Sequence, residues 1–168
     1  MSSEAAIAEV TVRQAGPADF DALLPLFERF YREEGFDDAV GVVAGNLRQI
    51  LAREDTAAFI AFGGGGTFGG GVAVGGVAAV GAAAMSSAFG LEAGLYAELE
   101  DIYVDADWRG RGVASALMEA GVAWARARGC RDVEIVLTPH AQAKDDLAPW
   151  YRARGFESTG RVIYERRL

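Results

Sequence analysis

The chain has 168 residues, 51% of them hydrophobic and 24% charged, with a formal net charge of −8 and one cysteine. That length suits one domain spanning residues 1–168 with a core of its own. The lone Cys130 excludes an intrachain disulfide and fits a reducing, cytoplasmic setting, and the negative balance argues against nonspecific binding to nucleic acid or anionic lipid.

The N-terminus lacks the basic stretch and apolar run of a signal peptide. Val10 and Val12 alternate with polar neighbours as in a short strand. Gly16-Pro17-Ala18-Asp19 reads as a helix start, and Phe20, Leu23, Leu24, Phe27 and Phe30 follow at helical spacing. Pro25 predicts a kink or a split, and Gly35 a stop. Val40, Val43, Leu47, Ile50 and Leu51 predict a second amphipathic helix, and Ala57 to Phe62 a short apolar strand.

Residues 63–81 hold ten glycines in nineteen positions. They read as a flexible hairpin connection, either a lip over a site or an expanded surface loop, followed by a small-residue strand towards Phe89. The apolar stretch Gly69 to Met85 is too glycine-rich for a membrane span. Leu95 to Val104 reads as a strand. Val113, Leu117, Ala120 and Trp124 mark a helix ending at Gly129, with Met118 also at core-like spacing. Val133 to Leu137 is a β-branched strand. Asp145 or Asp146 would cap a short helix through Tyr151 and Arg154, closed by Gly155, and Val162 to Tyr164 would form a final strand. This order describes one α/β domain with a mixed sheet.

Between the strand ending at Val104 and the helix beginning at Val113 lies Arg109-Gly110-Arg111-Gly112. The first amides of a helix have no internal acceptor and carry partial positive charge, so such a turn is suited to an anion. Arg109 and Arg111 add charge for phosphate oxygens. The Walker pattern is absent. A dinucleotide fingerprint would want Gly or Ala where Ser115 stands, although Asp132 lies near the distance of a ribose-binding acid. Too little chain follows for a doubly wound sheet, which leaves coenzyme A as a third ligand to set beside these two.

Arg109-Gly110-Arg111-Gly112-Val113-Ala114 resembles the R/Q-x-x-G-x-G/A pyrophosphate signature of GNAT acetyltransferases. The strand before it and the later Pro149-Trp150-Tyr151-Arg152-Ala153-Arg154-Gly155-Phe156 are similar to that family's other landmarks, in order and spacing. The resemblance is strong from Leu95 to Phe156, and the N-terminal helices agree in position only. It implies the GNAT α+β fold, with a mixed sheet of about six to seven strands flanked by helices, and acetyl-CoA as acetyl donor with no metal. The acceptor would be a primary amine attacking directly in a ternary complex.

The same resemblance implies site residues. The backbone of Ile102, Tyr103 and Val104 would pair with the pantetheine arm, with the Ile102 N–H towards the acetyl oxygen. Arg109, Gly110, Arg111, Gly112, Val113, Ala114 and Ser115 would cradle the pyrophosphate. Glu98 stands at the interval of a catalytic glutamate, and Glu100, two residues on, would share its face in a regular strand. Either could act as base, or with Asp101 could form an acidic edge that only attracts the amine, and a bulge would change which acid faces the cleft. Tyr151 would protonate the departing thiolate, and Trp150 would pack. Relatives often carry an asparagine where this chain has His140-Ala141-Gln142, so that pantetheine contact is left open.

Residues 1–104 carry a balance of −10 and residues 105–168 one of +2. An acidic first half would suit a cationic small molecule such as an aminoglycoside-like compound or polyamine; it would equally keep the protein dissolved. Other readings are a protein or peptide amine as acceptor, a non-catalytic acyl-CoA-binding module, and a dinucleotide-binding domain. The resemblance also allows a homodimer.

Overall fold

A computed structural model describes residues 10–64, 73–74, 77–166 and 168. The chain divides into two compact units, residues 1–136 and 137–168.

In the first unit, β1 (Val10–Gln14) leads through a 3-10 turn (Pro17–Asp19) into α1 (Phe20–Glu33) and α2 (Asp37–Ala52). Arg13 holds Asp19 at that turn, and Asp19 also accepts from the Gly16 amide at 2.9 Å. Of the kink or split expected at Pro25, the split is absent, for α1 runs on through the proline as one helix. Proline removes the bond to the carbonyl of Asp21, which lies on an exposed turn where water can serve it. Gly35 ends the helix at φ +77°, as its position predicts.

Then come β2 (Thr56–Gly64), β3 (Ala73–Val74), β4 (Val77–Gly90), β5 (Gly94–Val104), α3 (Val113–Ala127) and β6 (Val133–Ile135). Among the described residues the sheet has six strands in the order β1-β2-β4-β5-β6, with β3 also on β4. All pairs are antiparallel except β5 with β6. The reading of residues 63–81 as a flexible connection falls largely on residues 65–72 and 75–76, outside those described.

The alanine-rich β4 is a central strand whose small side chains let helices approach both faces. Leu23, Leu26 and Phe27 of α1 and Val43 and Leu47 of α2 bury against Ala58, Ile60, Ala82, Ala84 and Tyr103. The opposite face takes α3. A Cβ on Gly81 would lie 3.0 Å from Leu117 and 3.1 Å from Val113, and one on Gly121 would meet Met85. Met118 is buried in α3 as its spacing predicts, and Gly129 closes the turn after that helix at φ +82°.

In the second unit, α4 (Pro139–Asp145) is capped by Thr138, whose hydroxyl accepts from the Ala141 amide at 3.1 Å. The expected continuation of β6 to Leu137 is absent: the strand ends at Ile135, and residues 136–138 are irregular backbone leading to Pro139 in the first turn of α4. Asp146 joins α4 to α5 (Leu147–Arg152) in a left-handed conformation, φ 44°, with no capping bond from its side chain. The expected final strand is also absent: Val162, Ile163 and Tyr164 are exposed and outside any ladder. A three-residue apolar run has no stability as a strand without a partner ladder.

Candidate active site

β6 is short, and this shapes the site. It pairs with β5 only at Ala97, Glu98 and Leu99, through Val133, Glu134 and Ile135. Beyond Leu99, β5 keeps β4 on one side and, among the described residues, has no ladder on the other. Asp105 donates its amide to the Val80 carbonyl at 2.9 Å. Antiparallel alternation then turns the amide and carbonyl of Tyr103 towards β4, and those of Ile102 and Val104 towards the open side. The Val104 carbonyl accepts there from Arg109 Nε at 3.0 Å.

Glu100 is the extra residue of a bulge, since Ala84 pairs with Asp101 and Met85 with Leu99. The regular alternation that would put Glu98 and Glu100 on one face is therefore broken. Glu98 opposes Ser86, two residues from Ala84, so it shares a face with Asp101 and Tyr103, the face covered by α1 and α2. Glu100 is exposed. Burial raises the Glu98 carboxyl above the usual carboxylate range, and the neighbouring charges of Glu100, Glu134 and Asp101 push the same way. Asp101 is raised by burial as well, although it accepts a bond from the Tyr31 hydroxyl at 2.8 Å that favours its charged form.

After β5 comes a second 3-10 turn (Ala106–Trp108), started by Asp105, whose side chain accepts from the Asp107 amide. Trp108 is buried on Gly63, where only the missing Cβ leaves room for its ring, and Arg111 stacks on that ring at 5.0 Å. Gly110 and Gly112 adopt φ +73° and +81°, conformations that favour glycine, and open space surrounds both. Gly112 offers no side-chain cap to α3, and no acid stands in that helix's first turn. The amides from Val113 onward thus head a helix with partial positive charge and small residues in front of it. Arg109 reaches away from this turn to α1, where it pairs with Glu33 at 2.5 Å.

In the second unit Tyr151 is buried, edge-on to Trp150 at 4.8 Å and to Phe156 at 5.5 Å. Trp150 packs as expected, with Arg154 stacked on it at 3.7 Å. Gly155, at φ +86°, ends the segment, and the Phe156 amide returns to the Tyr151 carbonyl at 3.2 Å. Burial raises the Tyr151 phenol, which keeps it protonated at neutral pH. Gln142 donates to the Leu137 carbonyl at 3.0 Å, and His140 is exposed.

Reasoning from sequence missed Tyr31 and Glu33. Tyr31 follows Phe27 by one helical turn, a spacing that signals burial but not a polar partner on β5. No helix of the structure, among the described residues, is long and apolar enough to cross a membrane.

An open-sided strand, a glycine turn and an uncapped helix in succession can hold an acyl thioester by backbone alone. Comparison with known proteins agrees. The acetyltransferase (GNAT) family model matches residues 20–156. The chain is 34% identical over 157 residues to aminoglycoside N(6′)-acetyltransferase type 1 of Stenotrophomonas maltophilia, covering 93% of this chain and 92% of that one. The solved structure of AAC(6′)-Iy with the bisubstrate analogue CoA-S-monomethyl-acetylneamine is 26% identical, with a TM-score of 0.72 over 96% of this chain and 99% of that one. A structure of the same enzyme with CoA superposes with a TM-score of 0.73 over 99% of both chains at 24% identity. The chain belongs to the GNAT family and is an acetyl-CoA-dependent N-acetyltransferase.

Proposed function

We propose that the acceptor is the 6′-amine of an aminoglycoside, held as a polycation by the acidic first half of the chain. The observation that carries this is the run of carboxylates on β5, Glu98, Glu100 and Asp101, at the point where β5 parts from β6. The likeness to an aminoglycoside acetyltransferase along almost the whole chain supports the same acceptor. The family match runs across both units, which supports one acetyltransferase domain over residues 1–168. Acetyl-CoA as donor and a single free cysteine suit the cytoplasm.

In this reading the backbone of Ile102, Tyr103 and Val104 runs beside the pantetheine arm, and the Ile102 N–H polarises the acetyl carbonyl. The amides of residues 110–115 and the Arg111 side chain hold the pyrophosphate. The base stands near the Ile102 amide. Glu98 lies roughly 10 Å from Ile102 at about 3.3 Å per residue, since its partner Ser86 is three residues from Ala83, and the bulged Glu100 stands between the two, nearer to Ile102. Glu100 therefore takes the proton, directly or through one water, while Glu98 and Asp101 attract the ammonium groups. Tyr151 donates to the leaving thiolate.

Thiol release from acetyl-CoA tests this with two sets of aminoglycosides, one carrying a 6′-amine and the other a 6′-hydroxyl. Turnover with the first set alone is expected. Turnover only with peptides or simple polyamines would replace the acceptor. Glu100→Gln should lower kcat/KM by about 100-fold or more; a larger loss in Glu98→Gln would move the base to Glu98.

A further inference from the structure

Arg109 opens the turn read as the pyrophosphate site, yet its guanidinium is engaged by the end of β5 and by α1. Its Nε donates to the Val104 carbonyl at 3.0 Å, and one terminal nitrogen pairs with Glu33 Oε2 at 2.5 Å. The other oxygen of Glu33 accepts from the Tyr103 hydroxyl at 2.7 Å, and the guanidinium lies 5.7 Å from the Tyr103 ring. Glu33 is the last residue of α1, where a carboxylate is disfavoured by the helix dipole unless a cation meets it. One carboxylate thus joins the end of α1, the end of β5 and the first residue of the glycine turn. One turn earlier on α1, Arg29 faces Asp105 at 3.5 Å, a second tie between the same two regions.

We infer that Arg109 is a positioning residue and not a phosphate ligand: with Glu33 and Tyr103 it ties α1 to the turn and sets the direction of the turn's amides before the donor arrives. The inference rests on the reading of residues 110–115 as the pyrophosphate site. It separates two roles for one arginine. If Arg109 bound phosphate, Glu33 would compete for it, and removing the Glu33 charge would leave donor binding unchanged or tighter. If Arg109 positions the turn, removing either partner loosens the same structure, and losing both costs no more than losing one.

The test is a double-mutant cycle on the full chain with Glu33→Gln, Arg109→Gln and the pair, reading the Kd of acetyl-CoA and amide hydrogen exchange of the free protein. Each single variant is expected to weaken acetyl-CoA by about three- to tenfold, with the double variant no weaker than the worse single one. Exchange in residues 109–113 should speed up equally in all three without any ligand. Unchanged or tighter binding in Glu33→Gln, beside a loss in Arg109→Gln, would overturn the inference and make Arg109 a phosphate ligand. Exchange unchanged in every variant would also overturn it. If the unsubstituted protein bound no acetyl-CoA, the reading of the turn would fail, while the exchange arm would still decide whether Glu33 and Arg109 order it.

Discussion

Tyr31 on α1 donates its hydroxyl to Asp101 on β5 at 2.8 Å, joining two residues seventy positions apart beside the bulge at Glu100. Burial raises the proton affinity of both groups. A carboxylate in such a place costs stability unless a donor meets it. Tyr31→Phe keeps the ring but removes that donor. The expected loss is about 1–2 kcal/mol, read as a lower urea midpoint with an unchanged m-value. A midpoint equal to that of the unsubstituted protein would show that water replaces the phenol fully.

Two glycines at the contact between β4 and α3, Gly81 on the strand and Gly121 on the helix, should respond differently to alanine. At Gly81 a Cβ would come 2.9 Å from the Tyr103 carbonyl oxygen, which belongs to the sheet itself. At Gly121 it would come 2.9 Å from Met85 Sδ, the middle of a flexible side chain. Gly81→Ala should cost about 2–3 kcal/mol. Gly121→Ala should lie within about 1 kcal/mol of neutral, because alanine's better helix propensity offsets the shift of Met85. Thermal or urea unfolding of both variants checks this. Equal losses would mean that Met85 is held as firmly as the backbone.

Periodicity found the elements whose apolar faces are strong. Leu23 and Phe27, Val43 and Leu47, and Val113 and Leu117 marked their helices correctly because burial alone decides those positions. It failed where a choice depends on distant chain. Val162–Tyr164 has strand composition but no ladder, and pairing is not a local property. The bulge at Glu100 depends on register between β4 and β5, so the face of each acid was not legible until the strands were set side by side. The glycine turn itself was legible, since the positive φ of Gly110 and Gly112 is written in its residues. The bond of Arg109 to Glu33 was not, because it spans seventy-six positions.

Glu98 provides a pH-dependent signature. Its folded carboxyl is raised, so the native state holds that proton more tightly than the unfolded chain, whose value is about 4.3. The stability this contributes is fully present below the unfolded value and is lost as pH rises through the folded one. Glu98→Gln removes the charge and with it the loss. The difference in Tm between Glu98→Gln and the unsubstituted protein should therefore be small near pH 4 and grow in favour of the variant towards pH 7. A difference that does not change with pH would mean that Glu98 titrates alike in both states.

Tyr151→Phe isolates the proposed acid. Phenylalanine keeps the edge-on packing with Trp150 and Phe156, so stability should change little. The phenol's pKa is raised from its ordinary value of about 10, so it is protonated throughout the neutral range. A group that acts by giving a proton loses activity as pH rises through its own pKa, so the unsubstituted enzyme should hold its rate up to the alkaline range. Removing the hydroxyl should lower kcat by about 100-fold or more and leave the KM for acetyl-CoA nearly unchanged, because the phosphate site proposed above is the glycine turn and not Tyr151. Donors with better thiol leaving groups need less help from an acid, so the loss should shrink with an acetyl thioester of a more acidic thiol. An undiminished kcat with acetyl-CoA would mean that the thiolate leaves without a proton from Tyr151, and that the tyrosine serves only to fill the space between Trp150 and Phe156.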